Sequence, residues 1–240
     1  MATTPSAPSP VSTPRSSGSP GADQPATASG ASVYQLRAVI DKISPLIWRR
    51  LQVSGDTSIA GLHTTLQTVF GWDDEHLHHF VIHGVEYGVW RDGGHWFRDD
   101  ARTVRLDQLG LGRMEKFRYR YNYFAGWDVR LRVEQVLIRQ PGRAYPRCTG
   151  GRRAGPPEEW GGPWDFLDRT RPYRVLEAMR HAAEIIRSLL EADERQDWAS
   201  VGVSRGELAE LAPLLRVEQF DRRALNHTLA GLDVSARGAA

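Results

Sequence analysis

Between residues 116 and 134 the chain alternates with a period of two, and this pattern constrains the fold more than any other. Phe117, Tyr119, Tyr121 and Tyr123 interleave with Lys116, Arg118, Arg120 and Asn122. After a short break, Val129, Leu131 and Val133 interleave with Arg130, Arg132 and Glu134. Successive side chains of a strand point to opposite faces. Each run therefore predicts a strand with one aromatic or aliphatic face and one basic face. Two such strands in tandem predict an antiparallel hairpin.

The same period opens the ordered part of the chain. Tyr34, Leu36, Ala38 and Ile40 alternate with Gln35, Arg37 and Val39, Ser44-Pro45 supplies a turn, and Ile47, Arg49, Leu51 and Val53 alternate with Trp48, Arg50 and Gln52. A β-hairpin follows from this. Thr57 or Ser58 can cap a helix carrying Leu62, Leu66, Val69 and Phe70 on one face, and Gly71 stops it. Residues 76–83 read as a further strand, the stretch to Gly94 as a turn or exposed loop, and residues 106–109 as a short helical turn. Residues 139–165, rich in Pro, Gly and Arg, read as an ordered irregular loop because Trp160 and Trp164 invite burial. Pro172 opens a helix whose Leu176, Met179, Ala182, Ile186, Leu189 and Leu190 form an apolar stripe. Ser204 with Glu207 forms a capping box, and Asp221 caps a last helix that Gly231 closes, with Phe220 placed to staple onto Leu225. The expected class is α+β: a mixed or antiparallel sheet with a hairpin–helix–strand start, followed by C-terminal helices.

Composition enters where it excludes something. No run approaches the ~20 apolar residues that span a bilayer, and no basic segment followed by an apolar one marks a secretory signal. The single cysteine, Cys148, rules out an intramolecular disulfide and a multi-cysteine zinc site; a cytoplasmic protein is expected. The first thirty or so residues are mostly Ala, Ser, Thr, Pro and Gly, too poor in large apolar side chains to offset their ordering entropy. Three regions are therefore expected: a disordered tail (1–32), an α+β domain (33–170) and a helical region (171–240). Net charge is only +2, yet residues 102–153 hold thirteen basic and four acidic side chains. Positive charge is concentrated in the middle of the chain.

Several segments together resemble a known family. They are Tyr34 to Ile40, Pro45-Leu46-Ile47-Trp48-Arg49-Arg50-Leu51, Gly71-Trp72 with His76-Leu77-His78, Tyr145-Pro146-Arg147-Cys148, and residues 155–164 with Pro156, Pro157, Glu158, Trp160 and Trp164. In this order they resemble the plasmid open-reading-frame-3-like family, whose members also occur as TnpR-named passenger proteins of insertion elements. The resemblance implies an α+β domain carried by a mobile element, and the TnpR label suggests a resolvase. Where relatives have Asp, Gly, Asp and His near the hairpin turn, this chain has Asn122, Phe124, Ala125 and Val129. Two cysteines common in the Pro-Pro motif are here Gly155 and Trp160.

The residues offer three candidate sites. Arg118, Arg120, Arg130 and Arg132 would line the outer face of the hairpin, with Arg147, Arg152 and Arg153 on the neighbouring loop. Such a ribbon can follow a phosphate backbone, although an outer sheet face of arginines is also ordinary solvation. His76 and His78, two residues apart on a strand, could bind one metal with a third ligand from His63 or an Asp such as Asp73; they could equally pack against aromatics. No motif requires a cofactor, and a divalent metal at this pair is the one left open. Recombinase chemistry finds only fragments: Ser44 lacks the context of a serine recombinase, and His95-Trp96-Phe97-Arg98 followed by Tyr119 or Tyr121 matches part of a tyrosine recombinase. Residues 202–206 fit a nucleophile-elbow pattern without a parallel sheet before them. The readings left open are an accessory factor in DNA recombination or transposition that contacts DNA or a recombination protein, a protein-interaction adaptor using Trp160 and Trp164, and a metal-dependent hydrolase.

Overall fold

The computed structural model describes residues 32–89 and 96–232. Within them seven strands form one antiparallel sheet: β1 (Ser32–Ile40), β2 (Trp48–Ser54), β3 (His78–Ile82), β4 (Val85–Tyr87), β5 (Lys116–Tyr121), β6 (Trp127–Ile138) and β7 (Arg147–Arg152). Their spatial order is β4-β3-β5-β6-β1-β2-β7. Five helices accompany them: α1 (Ile59–Phe70), α2 (Pro163–Arg169), α3 (Pro172–Arg195), α4 (Arg205–Arg216) and α5 (Arg222–Leu229). The class is α+β, as the periodicities require. The tail expected over 1–32 lies outside the described residues except for Ser32, which already belongs to β1. No helix among the described residues is long and apolar enough to cross a membrane.

Period-two patterning decides which side of the sheet is buried. Leu36, Leu51, Phe80, Phe117, Tyr119, Tyr121, Val129, Leu131 and Val133 all fall on one face and join Leu62, Leu66, Val69 and Phe70 of α1 in a single core cluster. The register matches apolar to apolar across the ladder: Leu36 stands opposite Leu51 and Val133, and Phe80 opposite Tyr119. A one-residue slip would turn this whole set to solvent. The caps of α1 are those expected. The Ser58 side chain accepts from the Gly61 N–H at 2.9 Å, and Gly71 adopts φ 75°, where a Cβ is disfavoured.

Arg49 sits inside this layer, buried and with no carboxylate partner among the described residues. Its Nε donates to the Val69 carbonyl at 2.9 Å, and its Nη1 donates to the carbonyls of Trp48 and Arg152. The guanidinium also lies over the Phe220 ring at 4.3 Å. Val69 is in the last turn of α1, where carbonyls carry the negative end of the helix dipole. Burial nevertheless pushes the Arg49 pKa down to about 10.

Three expectations need correction. The strand placed over residues 76–83 begins only at His78, so His76 lies before it. The region 139–165 contains β7, an edge strand paired with β2. Its sequence, Arg-Cys-Thr-Gly-Gly-Arg, carries no alternation because α5 supplies its cover: the Asn226 amide accepts from the Cys148 N–H at 2.7 Å and donates to the Cys148 carbonyl at 2.9 Å. One side chain thus takes the place of a neighbouring strand. Finally, α3 buries Ala178, Ile185 and Ala192 rather than the stripe expected, and Leu176, Met179, Ile186, Leu189 and Leu190 are exposed.

Candidate functional site

Two groups of side chains gather on opposite faces of the sheet. The first lies under α1, at the seam between the helix and strands β3 and β5. His63 of α1 and His78 of β3 stack face to face, with ring centroids 3.4 Å apart and planes within 7°. Both are buried. Asp74, in the connection from α1 to β3, reaches them from the rim: its Oδ1 lies 2.9 Å from His63 Nε2 and 3.9 Å from His78 Nδ1. Asp74 holds this position with a left-handed backbone, φ 59°, a conformation that Asp tolerates better than most residues. Its side chain remains 42% exposed.

A hydrogen-bond network holds His63 in place. The Asp74 N–H donates to Gln67 Oε1 at 3.1 Å, so the Gln67 amide nitrogen must face the other way. There it donates to the Tyr119 hydroxyl at 2.7 Å. The Tyr119 oxygen therefore accepts from Gln67 and lies 2.8 Å from His63 Nδ1, to which it can donate or from which it can accept a second hydrogen. His63 Nε2 lies 2.9 Å from Asp74 Oδ1. Burial raises the Tyr119 hydroxyl well above its ordinary pKa, so it stays protonated in this chain.

A second acid meets the network from the loop before α2. Glu158 accepts from the Tyr121 hydroxyl and from the Asp73 N–H, and its Oε1 is 3.8 Å from His76 Nε2. The loop is pressed tightly against the sheet. The Trp72 indole donates to the Pro156 carbonyl at 3.0 Å, and a Cβ on Gly155 would stand 1.8 Å from the Phe70 carbonyl oxygen. The sequence pair His76 and His78 is thereby separated. His78 belongs to the His63–Asp74 group, whereas His76 turns to Glu158. Of the expected third ligands, His63 joins the cluster, and Asp74 takes the place considered for Asp73.

The second group is the open face. In register across the ladder, Lys116 stands beside Arg132, Arg132 beside Arg37, and Arg37 beside Arg50. One step along, Arg118 faces Arg130, which faces Val39. Arg37, Lys116, Arg130 and Arg132 with Val39 and Leu46 line a shallow concavity of about 250 Å³. Carboxylates partly neutralise the face. Asp128 binds Arg120 through both oxygens, Asp41 pairs with Arg130, and Glu134 serves both Arg50 and Arg132. Among the described residues, Arg37, Lys116, Arg118, Arg147 and Arg152 have no ion-pair partner. Arg37 and Arg50 also lie over the Trp48 ring, at 4.8 and 5.6 Å.

The arginines named from sequence therefore divide. Arg118, Arg120, Arg130 and Arg132 share one face. Arg152 lies across the ladder from Trp48, at the far end of β7. Arg147 opposes Gln52 on the same edge strand. Arg153 is buried, donating to the Pro45 carbonyl and pairing with Glu218. Sequence reading placed Lys116 on the basic face without naming it as a DNA contact, and missed Arg37, although its alternation with apolar neighbours carried the signal. It missed Asp74 and Glu158 for want of any local signal. Tyr119 and Tyr121, which follow the partial recombinase motif, are wholly buried with engaged hydroxyls, unlike an accessible nucleophile. His95 of that motif lies outside the described residues.

Comparison with known proteins adds kinship. The family model for plasmid pRiA4b ORF-3-like proteins matches residues 32–199. The uncharacterized protein y4hQ of Sinorhizobium fredii is 30% identical over 145 residues, covering 58% of this chain and 71% of its own length. A crystal structure of a protein of unknown function, MM3350 from Methanosarcina mazei Go1, superposes with a TM-score of 0.58 at 26% identity, covering 81% of this chain and 97% of that one.

Proposed function

The chain belongs to the plasmid pRiA4b ORF-3-like family, and from that premise we propose that it is an accessory protein of a mobile element that contacts DNA through the open face of its sheet. The role is one of contact in recombination or transposition rather than of strand cleavage. The observation that carries this reading is the run of cations in register across β5, β6, β1 and β2, with Lys116, Arg118 and Arg37 lacking carboxylate partners among the described residues. A ladder with cations at successive strands offers several phosphate contacts at once, and each contact releases a counterion.

Fluorescence anisotropy with a short duplex, read from roughly 50 to 200 mM salt, tests this. Binding is expected to weaken steeply with salt. Lys116→Ala combined with Arg118→Ala should weaken it further and lower the salt slope by about two. Arg187→Ala on α3 should leave it unchanged. Binding that ignores salt, or that survives the double substitution, removes the proposal.

A second reading is favoured by one observation. Leu176, Met179, Ile186 and Leu190 are more than half exposed along α3, and Trp164 is 71% exposed. An apolar patch of this kind suits a protein-interaction adaptor. Trp160, the other tryptophan considered for that role, is buried against Phe166 and is structural.

A further inference from the structure

We propose that His63, Asp74 and His78 form a binding site for one first-row divalent cation, of which Zn²⁺ is the best match. This stands apart from the DNA-contact reading, since it uses the other side of the sheet. Each of the three residues offers one ligand atom, and these atoms all lie within 4.8 Å of one another. Tetrahedral zinc with bonds of roughly 2.0–2.1 Å sets its ligand atoms about 3.3 Å apart. The separations of Asp74 Oδ1 from the two imidazoles, 2.9 and 3.9 Å, bracket that value. The two imidazoles are stacked face to face, so closing the shell requires one ring to turn its nitrogen edge toward the cation.

The donor set narrows the ion. Two imidazoles and one carboxylate suit zinc, iron, cobalt or nickel, whereas magnesium and calcium prefer all-oxygen shells. Three protein ligands leave a coordination position open, as in reactive rather than purely structural zinc sites. That position faces the rim, because Asp74 is the half-exposed member while both imidazoles are buried.

The surrounding network is built as support for such an ion. A ligating imidazole commonly donates its other ring N–H to an oxygen that orients it. His63 already has such an oxygen, the Tyr119 hydroxyl at 2.8 Å. Binding requires the Nδ1–H tautomer of His63, which donates to the Tyr119 oxygen and presents Nε2 to the cation. The charge of the cation offsets the Asp74 carboxylate that both histidines face.

The test uses the full-length untagged protein, stripped with chelator and titrated calorimetrically with Zn²⁺ and spectroscopically with Co²⁺. One equivalent of metal is expected, with Co²⁺ giving the intense visible absorption of a four-coordinate site. His63→Ala and His78→Ala should abolish binding, and Asp74→Asn should weaken it at least tenfold. Asp74 is half exposed, so that variant keeps the question answerable if the histidine variants fail to fold. His79→Ala, a half-buried histidine on the other face of β3, should bind as the parent does. Zn²⁺ should raise the melting temperature of the parent and not of Asp74→Asn. Absence of stoichiometric binding overturns the proposal, as does binding that Asp74→Asn leaves unchanged or that His79→Ala removes.

Discussion

Glu134 shows how a single carboxylate organises the basic face. It accepts from Arg50 Nε at 2.5 Å and Nη2 at 3.1 Å, accepts from Gln35 Nε2 at 3.2 Å, and lies 3.7 Å from Arg132 Nη2. Partial burial on its own would raise its pKa, but the Arg50 hydrogen bonds and charge outweigh it and hold the carboxyl below its ordinary value. A carboxyl depressed in the folded state stabilises the protein above its unfolded pKa, and that contribution is lost as pH falls through the folded pKa. Because Arg50 is 37% exposed, the pair is partly screened. Glu134→Gln is therefore expected to cost about 1 kcal/mol near pH 7, with the gap to the parent closing below about pH 4. Denaturant unfolding at several pH values measures this. A gap that persists into acid would mean that shape, not charge, carries the interaction. The same variant removes the partner of two arginines, so duplex binding should tighten in it.

At the scale of elements, α3 separates what a sequence pattern shows from what packing decides. Its apolar residues are too numerous for one narrow seam, and periodicity alone does not say which edge of the stripe faces inward. The helix turns Ala178, Ile185 and Ala192 in, while Ile186, the next residue after Ile185, is 57% exposed. Ile185→Ala is expected to cost roughly 2 kcal/mol and Ile186→Ala under about 0.5. Thermal or denaturant melts of the two variants decide the matter; equal losses would place Ile186 in a covered interface. Elsewhere legibility followed local physics. The strands β1, β2, β5 and β6 could be read because alternation is a property of each strand by itself, and α1 because Ser58 and Gly71 punctuate it. Strand β7 was hidden because its cover comes from Asn226, 78 residues later. The site was half visible for the same reason. His78 and His63 lie on elements whose faces periodicity predicts, whereas Asp74 depends on a left-handed turn and Glu158 on a loop folded back onto Tyr121.

Taken as a whole molecule, the sheet is a partition with two chemistries, and β5 contributes to both. Tyr119 and Tyr121 point inward to the histidine–carboxylate network, while Lys116, Arg118 and Arg120, alternating with the aromatic residues of the strand, point to solvent. The two faces are therefore joined covalently through one strand, yet their electrostatic coupling should be weak. A sheet layer occupies roughly 10 Å, and the Debye length at physiological ionic strength is about 8 Å. A divalent ion under α1 would lie at least that far from a phosphate on the open face, where solvent and the duplex's own counterions screen the phosphate. Mechanical coupling should be equally small, because the core ladder leaves little room for a rearrangement that β5 could transmit. Duplex affinity measured with and without Zn²⁺ is accordingly expected to differ by less than about twofold, and Asp74→Asn should leave it unchanged. By linkage, DNA should then alter the metal affinity by no more than the same factor. A tenfold effect in either direction would show that the strand itself has two states, and that the faces act as one switch rather than as independent sites.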